Sequence, residues 1–102
     1  MEEKAKKLAE LLKVLANENR LLILCQLIEG PKTVSRLAES IPNITQSALS
    51  QHLALLRAHG ILDFTKSGQS ITYRIEDERV EKVIDVLKAY YLSLIHISEP
   101  TR

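Results

Sequence analysis

Residues 46–59, QSALSQHLALLRAH, carry the side chains best suited to touching another molecule. At ~100° per residue along a helix, Leu49, Leu53 and Leu56 fall together. Ser47, Ser50, Gln51, Ala54 and Ala58 fall on the other side. That second face is small and polar, and the segment contains no acid. Small residues permit entry into the major groove of DNA, and the lack of acids avoids repulsion by phosphate. Gln46 and Gln51 each offer a donor and an acceptor together, the pattern that matches adenine, and the serines suit bases or phosphates. Free amides at the start of such a helix, near Thr45 and Gln46, suit a phosphate oxygen. A polar surface helix on any helical domain would share this face, so the flanking elements decide what it means.

The other reactive groups are sparse. Cys25 is the single cysteine, and His52, His59 and His96 are scattered along the chain. Zinc and softer metals need a clustered set of N, S or O donors, so no metal and no cofactor are expected. His52 lies at the edge of the apolar face of its segment, where packing or a phosphate contact suits it better than metal ligation. His59 closes the segment, where a partial positive charge suits the helix dipole. Catalysis by Cys25 would need an adjacent base or an electropositive site. Its sequence neighbours are leucine and isoleucine, so no enzyme is expected.

The elements that must position residues 46–59 are legible around it. Residues 2–16 place Leu8, Leu11, Leu12 and Leu15 at helical spacing. Asn17 fits an N-cap for a second helix over about 18–29, apolar nearly all round and hence the expected centre of the core. Gly30-Pro31 ends it. Thr33 fits the cap of a short helix to about Ser40, with Val34, Leu37 and Ile41 inward. Pro42-Asn43 makes a turn, Thr45 caps the 46–59 helix, and Gly60 stops it. Two short helices across a tight turn form a helix-turn-helix. Residues 61–65 and 70–75 then predict two strands, the second with clear alternation, joined at a tip of residues 66–69 containing Gly68. That hairpin is a wing. A last helix from about Asp77 aligns Val80, Val83, Ile84, Leu87 and Tyr91.

The fold class expected is therefore mainly α with a small β-hairpin wing, a winged helix-turn-helix. With 102 residues the chain holds one domain with a modest core. The first and last helices have apolar stripes without an obvious partner, so a homodimer through Leu8, Leu11, Leu12, Leu15, Val83, Ile84, Leu87 and Tyr91 is expected, with two-fold symmetry. Net charge is only +1. Between residues 30 and 74, however, Lys32, Arg36, Arg57, Lys66 and Arg74 outnumber Glu39 and Asp63, while acids gather near both ends. No signal peptide and no membrane span are read from the sequence, and the lone cysteine fits a reducing cytoplasm.

With the elements in order, the string LANENRLLIL over residues 15–24 resembles the entry motif of ArsR-type regulators. SALSQHL over 47–53, followed by Leu56-Arg57 and Gly60-Ile61, is similar to that family's recognition helix. The likeness runs from about Leu8 to Tyr91. It implies a winged-helix homodimer that represses an operator and releases it on sensing metal or reactive sulfur. The turn Ile41-Pro42-Asn43-Ile44 is one residue longer than the usual one, so the recognition helix is expected to tilt slightly differently. The family's metal-binding Cys-x-Cys-Asp motif is absent, since residues 33–36 read TVSR. A second family metal site on the last helix retains Asp77 but has Arg79 and Tyr90 near its histidine positions.

Cys25 within RLLILC resembles the sulfide- and redox-responsive, BigR- and HlyU-like branch of the family. That branch uses a second cysteine after a segment matched here by LKAYY over residues 87–91. Leu92 stands in its place, so Cys25 is either a thiol sensor lacking its partner or a core thiol. Residues 92–102, LSLIHISEPTR, resemble translated vector sequence. The domain is accordingly drawn over residues 1–91, with 92–102 as a tail.

The expected function is a transcriptional regulator, a repressor that binds a palindromic operator in double-stranded DNA as a homodimer. Gln46, Ser47, Ser50 and Gln51 would contact bases. Thr33, Thr45, Arg57, Lys66, Gln69 and Arg74 would hold phosphates or the minor groove. The competing reading is a winged-helix module that binds protein instead of DNA, supported mainly by the near-neutral charge.

Overall fold

The computed structural model describes residues 1–98, with side chains through residue 90. Among them the order is α1 (Glu2–Leu15), α2 (Glu18–Ile28), β1 (Lys32–Thr33), α3 (Val34–Ser40), α4 (Gln46–Ala58), β2 (Leu62–Ser67), β3 (Ser70–Ile75) and α5 (Glu78–Ser98).

Side-chain caps start the helices. Asn17 Oδ1 accepts the Arg20 N–H at 3.1 Å, Thr33 Oγ1 that of Arg36 at 3.1 Å, and Thr45 Oγ1 that of Ala48 at 3.0 Å. Each satisfies an amide that the helix itself leaves without a partner. Between α3 and α4 the chain turns through Asn43, held at φ 62°. Asparagine tolerates this left-handed conformation because its short polar side chain can bond locally.

The three strands form one antiparallel sheet in the order β1-β3-β2. β1 is an addition to the expected pair of strands: Lys32 sits opposite Tyr73, and Thr33 opposite Thr72. Two residues carry no alternation, so nothing in the sequence marks them as a strand. The hairpin is also tighter than expected. Ser67 pairs with Ser70, which moves Lys66 and Ser67 into β2 and leaves Gly68-Gln69 as the turn. Gly68 has φ 62°, the conformation that the first position of such a two-residue turn demands.

The core joins Leu15 of α1, Ile23, Leu24 and Leu27 of α2, Leu37 and Ile41 around the end of α3, Leu49, Leu53 and Leu56 of α4, Ile61, Leu62 and Tyr73 of the wing base, and Val80 and Ile84 of α5. α2 is less enclosed than its composition predicts, because Leu21 and Leu22 are exposed. It packs against α3, α4, α5 and β3 through Ile23, Leu24 and Leu27.

The predicted dimer stripe divides in two. Leu15 and Ile84 are buried within the subunit, and Leu11 is half-buried against the same core. These three already pack within the subunit without a second chain. Leu8, Leu12, Val83 and Leu87 are exposed, as are Val86 and Tyr90. The side chain of Tyr91 lies outside the described residues. α5 continues through Ser98, so its backbone crosses the boundary drawn at residue 91. The architecture is a winged helix-turn-helix, with α3 and α4 as the helix pair and β2-β3 as the wing.

Candidate nucleic-acid interface

α4 is anchored by one face and free on the other. Leu49, Leu53 and Leu56 are buried to within 2% of complete enclosure. Gln46, Ser47, Ser50, Gln51, Ala54, Arg57 and Ala58 are all exposed. Thr45, also exposed, bonds Ala48 with its hydroxyl and leaves the amides of the first turn facing outward. The helix therefore presents amide and hydroxyl groups from a rigid mount, with no acid on its surface. Ser40 Oγ donates to the Arg36 carbonyl at 2.9 Å, which ties off the end of α3 before the turn.

The wing supplies the second part of the surface. Lys66 and Gln69 are exposed near the hairpin tip, and Thr33, half-buried, sits at the wing base opposite Thr72. Arg57 and Arg74 behave differently, because both converge on Asp63. Arg57 Nε donates to Asp63 Oδ1 at 3.3 Å, and Arg74 Nη2 lies 3.5 Å from Asp63 Oδ2. Arg74 also reaches Thr65 Oγ1 through Nη1 at 3.1 Å and Glu76 through Nε at 3.3 Å. Arg57 lies over the Phe64 ring, 4.2 Å from its centroid, and Phe64 meets Tyr73 edge-on. The Phe64 N–H, followed by the Arg57 guanidinium, holds the Asp63 carboxyl below the usual carboxylate range.

Sequence reasoning does not single out Asp63, although a signal for it exists. A two-residue turn at Gly68-Gln69 pairs residue 63 with residue 74, so an acid faces an arginine across the hairpin. Arg20 is the other omission. Its Nε donates to the Val14 carbonyl, and its Nη1 lies 3.3 Å from His52 Nδ1 on α4. One guanidinium thus links the end of α1 to α4. Partial burial, reinforced by that neighbouring cation, lowers the His52 pKa. No sequence spacing announces a contact across 32 residues.

Cys25 is half-buried against the core on α2. Burial pushes its thiol up, against a smaller opposing pull from the Lys88 ammonium. Lys88 reaches across from α5 to donate to the Cys25 carbonyl at 3.0 Å and to Glu29 at 3.4 Å. Among the described residues, no three His, Cys, Asp or Glu side chains gather where they could hold a metal ion. Asp77 instead caps α5, accepting the Arg79 N–H at 2.9 Å.

Comparison with known proteins places this geometry. Residues 17–63 match the bacterial regulatory protein, arsR family. The chain is 40% identical over 91 residues to the transcriptional activator HlyU of Vibrio cholerae, covering 89% of this chain and 83% of that protein. The solved structure of HlyU from Vibrio cholerae superposes with a TM-score of 0.84 at 39% identity, covering 90% of this chain and 99% of the other. The transcriptional repressor BigR from Xylella fastidiosa superposes with a TM-score of 0.81 at 33% identity, covering 92% of each chain. An acid-free exposed helix beside a wing is thus built on a backbone shared with transcriptional regulators, and the chain belongs to the ArsR family of bacterial regulatory proteins.

Proposed function

We propose that the protein is a cytoplasmic repressor that binds an inverted-repeat operator as a homodimer, with α4 of each subunit in a major groove. The observation that carries this reading is the exposed, small, polar and acid-free face of α4, held rigidly by three buried leucines and flanked by the wing. Gln46, Ser47, Ser50 and Gln51 contact bases. Thr33, Thr45, Arg57, Lys66 and Gln69 hold the backbone or the minor groove. Arg74, whose guanidinium is taken up by Asp63, Thr65 and Glu76, supports this surface from the wing instead of touching DNA itself.

The relatives carry both signs of regulation in their names, an activator and a repressor. Repression follows most simply from occupying promoter DNA. Dimerisation is supported by the exposed apolar side chains of α1 and α5, which are numerous for so small a chain. Among the described residues no helix is long and apolar enough to cross a membrane. The protein-binding alternative is not favoured, because the outward face of α4 is mostly small and polar, with Leu55 its single exposed large apolar side chain.

Release by reactive sulfur would act through Cys25. A half-buried thiol with a raised pKa is mostly protonated at neutral pH and reacts slowly, which favours a packing role for it. The function is tested by titrating labelled operator duplex with Gln51→Ala and Lys66→Ala proteins and following fluorescence anisotropy. Gln51→Ala should weaken operator binding selectively. Lys66→Ala should weaken binding to all sequences and flatten the salt dependence. Equal losses on every sequence for both variants would remove the assignment of α4 as the base-contacting helix.

A further inference from the structure

We infer that Asp63 is a positioning residue for DNA binding, aiming the Arg57 guanidinium at the sugar-phosphate backbone while Arg74 buttresses it. This rests on the DNA-binding reading above and deepens it.

Arg57 sits in the last turn of α4. It follows Ser50 by seven residues, nearly two full helical turns, so it lies almost in phase with the exposed serine. Its neighbours on that face are Ala54 and Ala58, too small to screen it. Arg57, Asp63 and these alanines line an open cleft of about 540 Å³ between α4 and the wing. A free arginine in the last turn of a helix would sample many rotamers, and ordering it on a partner would consume binding free energy. Here its ordering precedes any ligand. The Phe64 ring supports one face of the guanidinium, and Asp63 takes its Nε. Among the described residues no partner occupies the two terminal Nη groups, which form the fork that suits a phosphate.

Asp63 can hold this geometry because it is itself fixed. Its side chain is short, and its Oδ1 also accepts the Phe64 N–H at 2.8 Å. Arg74 has a different position. All three of its nitrogens are engaged, with Asp63, Thr65 and Glu76, so it neutralises Asp63 and stiffens the wing base. The two arginines, alike in the sequence reading, therefore divide their work: Arg57 touches the phosphate and Arg74 supports the residue that aims it.

The sign of one substitution separates this inference from simple electrostatics. Removing an acid from a DNA-facing surface should strengthen binding, because phosphate is repelled less. Loss of aim should weaken it. The experiment measures the affinity of the full chain for operator duplex by anisotropy across a salt series, for wild type, Asp63→Ala, Arg57→Gln and the double variant. Circular dichroism melts confirm that each is folded.

Asp63→Ala is expected to bind roughly fivefold more weakly, the scale of immobilising one flexible side chain. Its slope of log affinity against log salt should shrink by up to ~0.9, one phosphate contact. Arg57→Gln should do the same, and the double variant should lose no more than either single one. Tighter binding by Asp63→Ala, an unchanged slope, or additive losses would each overturn the inference and leave DNA binding standing. A folded wild type with no salt-dependent binding to any duplex would overturn the DNA-binding reading, and this inference with it.

Discussion

Replacing Leu12 and Leu87 together by alanine should convert the proposed dimer to monomer at working concentrations. Leu12 is 51% and Leu87 53% exposed in the isolated subunit, so each keeps half of its surface available for a partner. Full burial of a leucine side chain contributes about 1.5–3 kcal/mol. Half of that is about 1 kcal/mol per side chain, and a two-fold interface uses each position twice. Four side chains then amount to about 4 kcal/mol, a weakening of the dimerisation Kd by roughly a thousandfold. Because these leucines lie largely outside the subunit core, the monomer should remain folded, with its circular dichroism spectrum intact. Sedimentation equilibrium over a concentration series measures both Kd values. A wild type that stays monomeric at tens of micromolar, or a double variant that associates as tightly as wild type, would refute the use of α1 and α5 as the dimer face.

Other consequences follow from individual contacts. Thr45→Ala removes the hydroxyl that accepts the Ala48 N–H and should lower stability by about 1 kcal/mol, visible as a reduced melting temperature. Asp77→Ala removes the acceptor for the Arg79 and Val80 amides and should cost about the same, with unfolding read by urea titration. His52 has its pKa lowered below the ordinary 6.5 by partial burial and then by Arg20. The unfolded chain therefore takes up this proton more readily than the folded one, so stability should hold above pH 6.5 and fall as the pH drops below it. Melting temperatures at about pH 7.5 and about pH 5.5 check this, and His52→Gln should shrink the difference between them. Cys25 should react with a thiol-directed reagent far more slowly than it does in urea-unfolded protein, as followed by absorbance. Equal rates would return Cys25 to candidacy as a sensor.

Much of this architecture is carried by short-range chemistry, which is why a single sequence reveals it. Asn17, Thr33 and Thr45 each cap the helix that follows, and Gly68 turns the hairpin. The phase of Leu49, Leu53 and Leu56 fixes which side of α4 faces outward, so the candidate contact residues follow from counting. The hidden parts depend on what packs against what. Leu8 and Leu15 lie seven residues apart on one stripe, yet only Leu15 meets the core, because α1 touches the subunit through its C-terminal end. Ile84 and Leu87 divide in the same way on α5. Leu21 and Leu22 are apolar enough to be read as core, yet only Ile23, Leu24 and Leu27 of α2 turn toward the elements packed on it. Arg20 and His52 meet across the fold. The Asp63 network follows from the hairpin register, which a tip drawn two residues too wide conceals.

The central claim is that two copies of α4 contact one operator in adjacent major grooves. Selection from a random-sequence duplex pool with the purified protein tests this most directly, since the bound sequence emerges from the pool itself. The account predicts enrichment of an inverted repeat whose half-site centres lie ~10 base pairs apart, one helical turn, and loss of that enrichment with Gln51→Ala. A pool that stays unenriched, or that yields single half-sites with no symmetry, would contradict it.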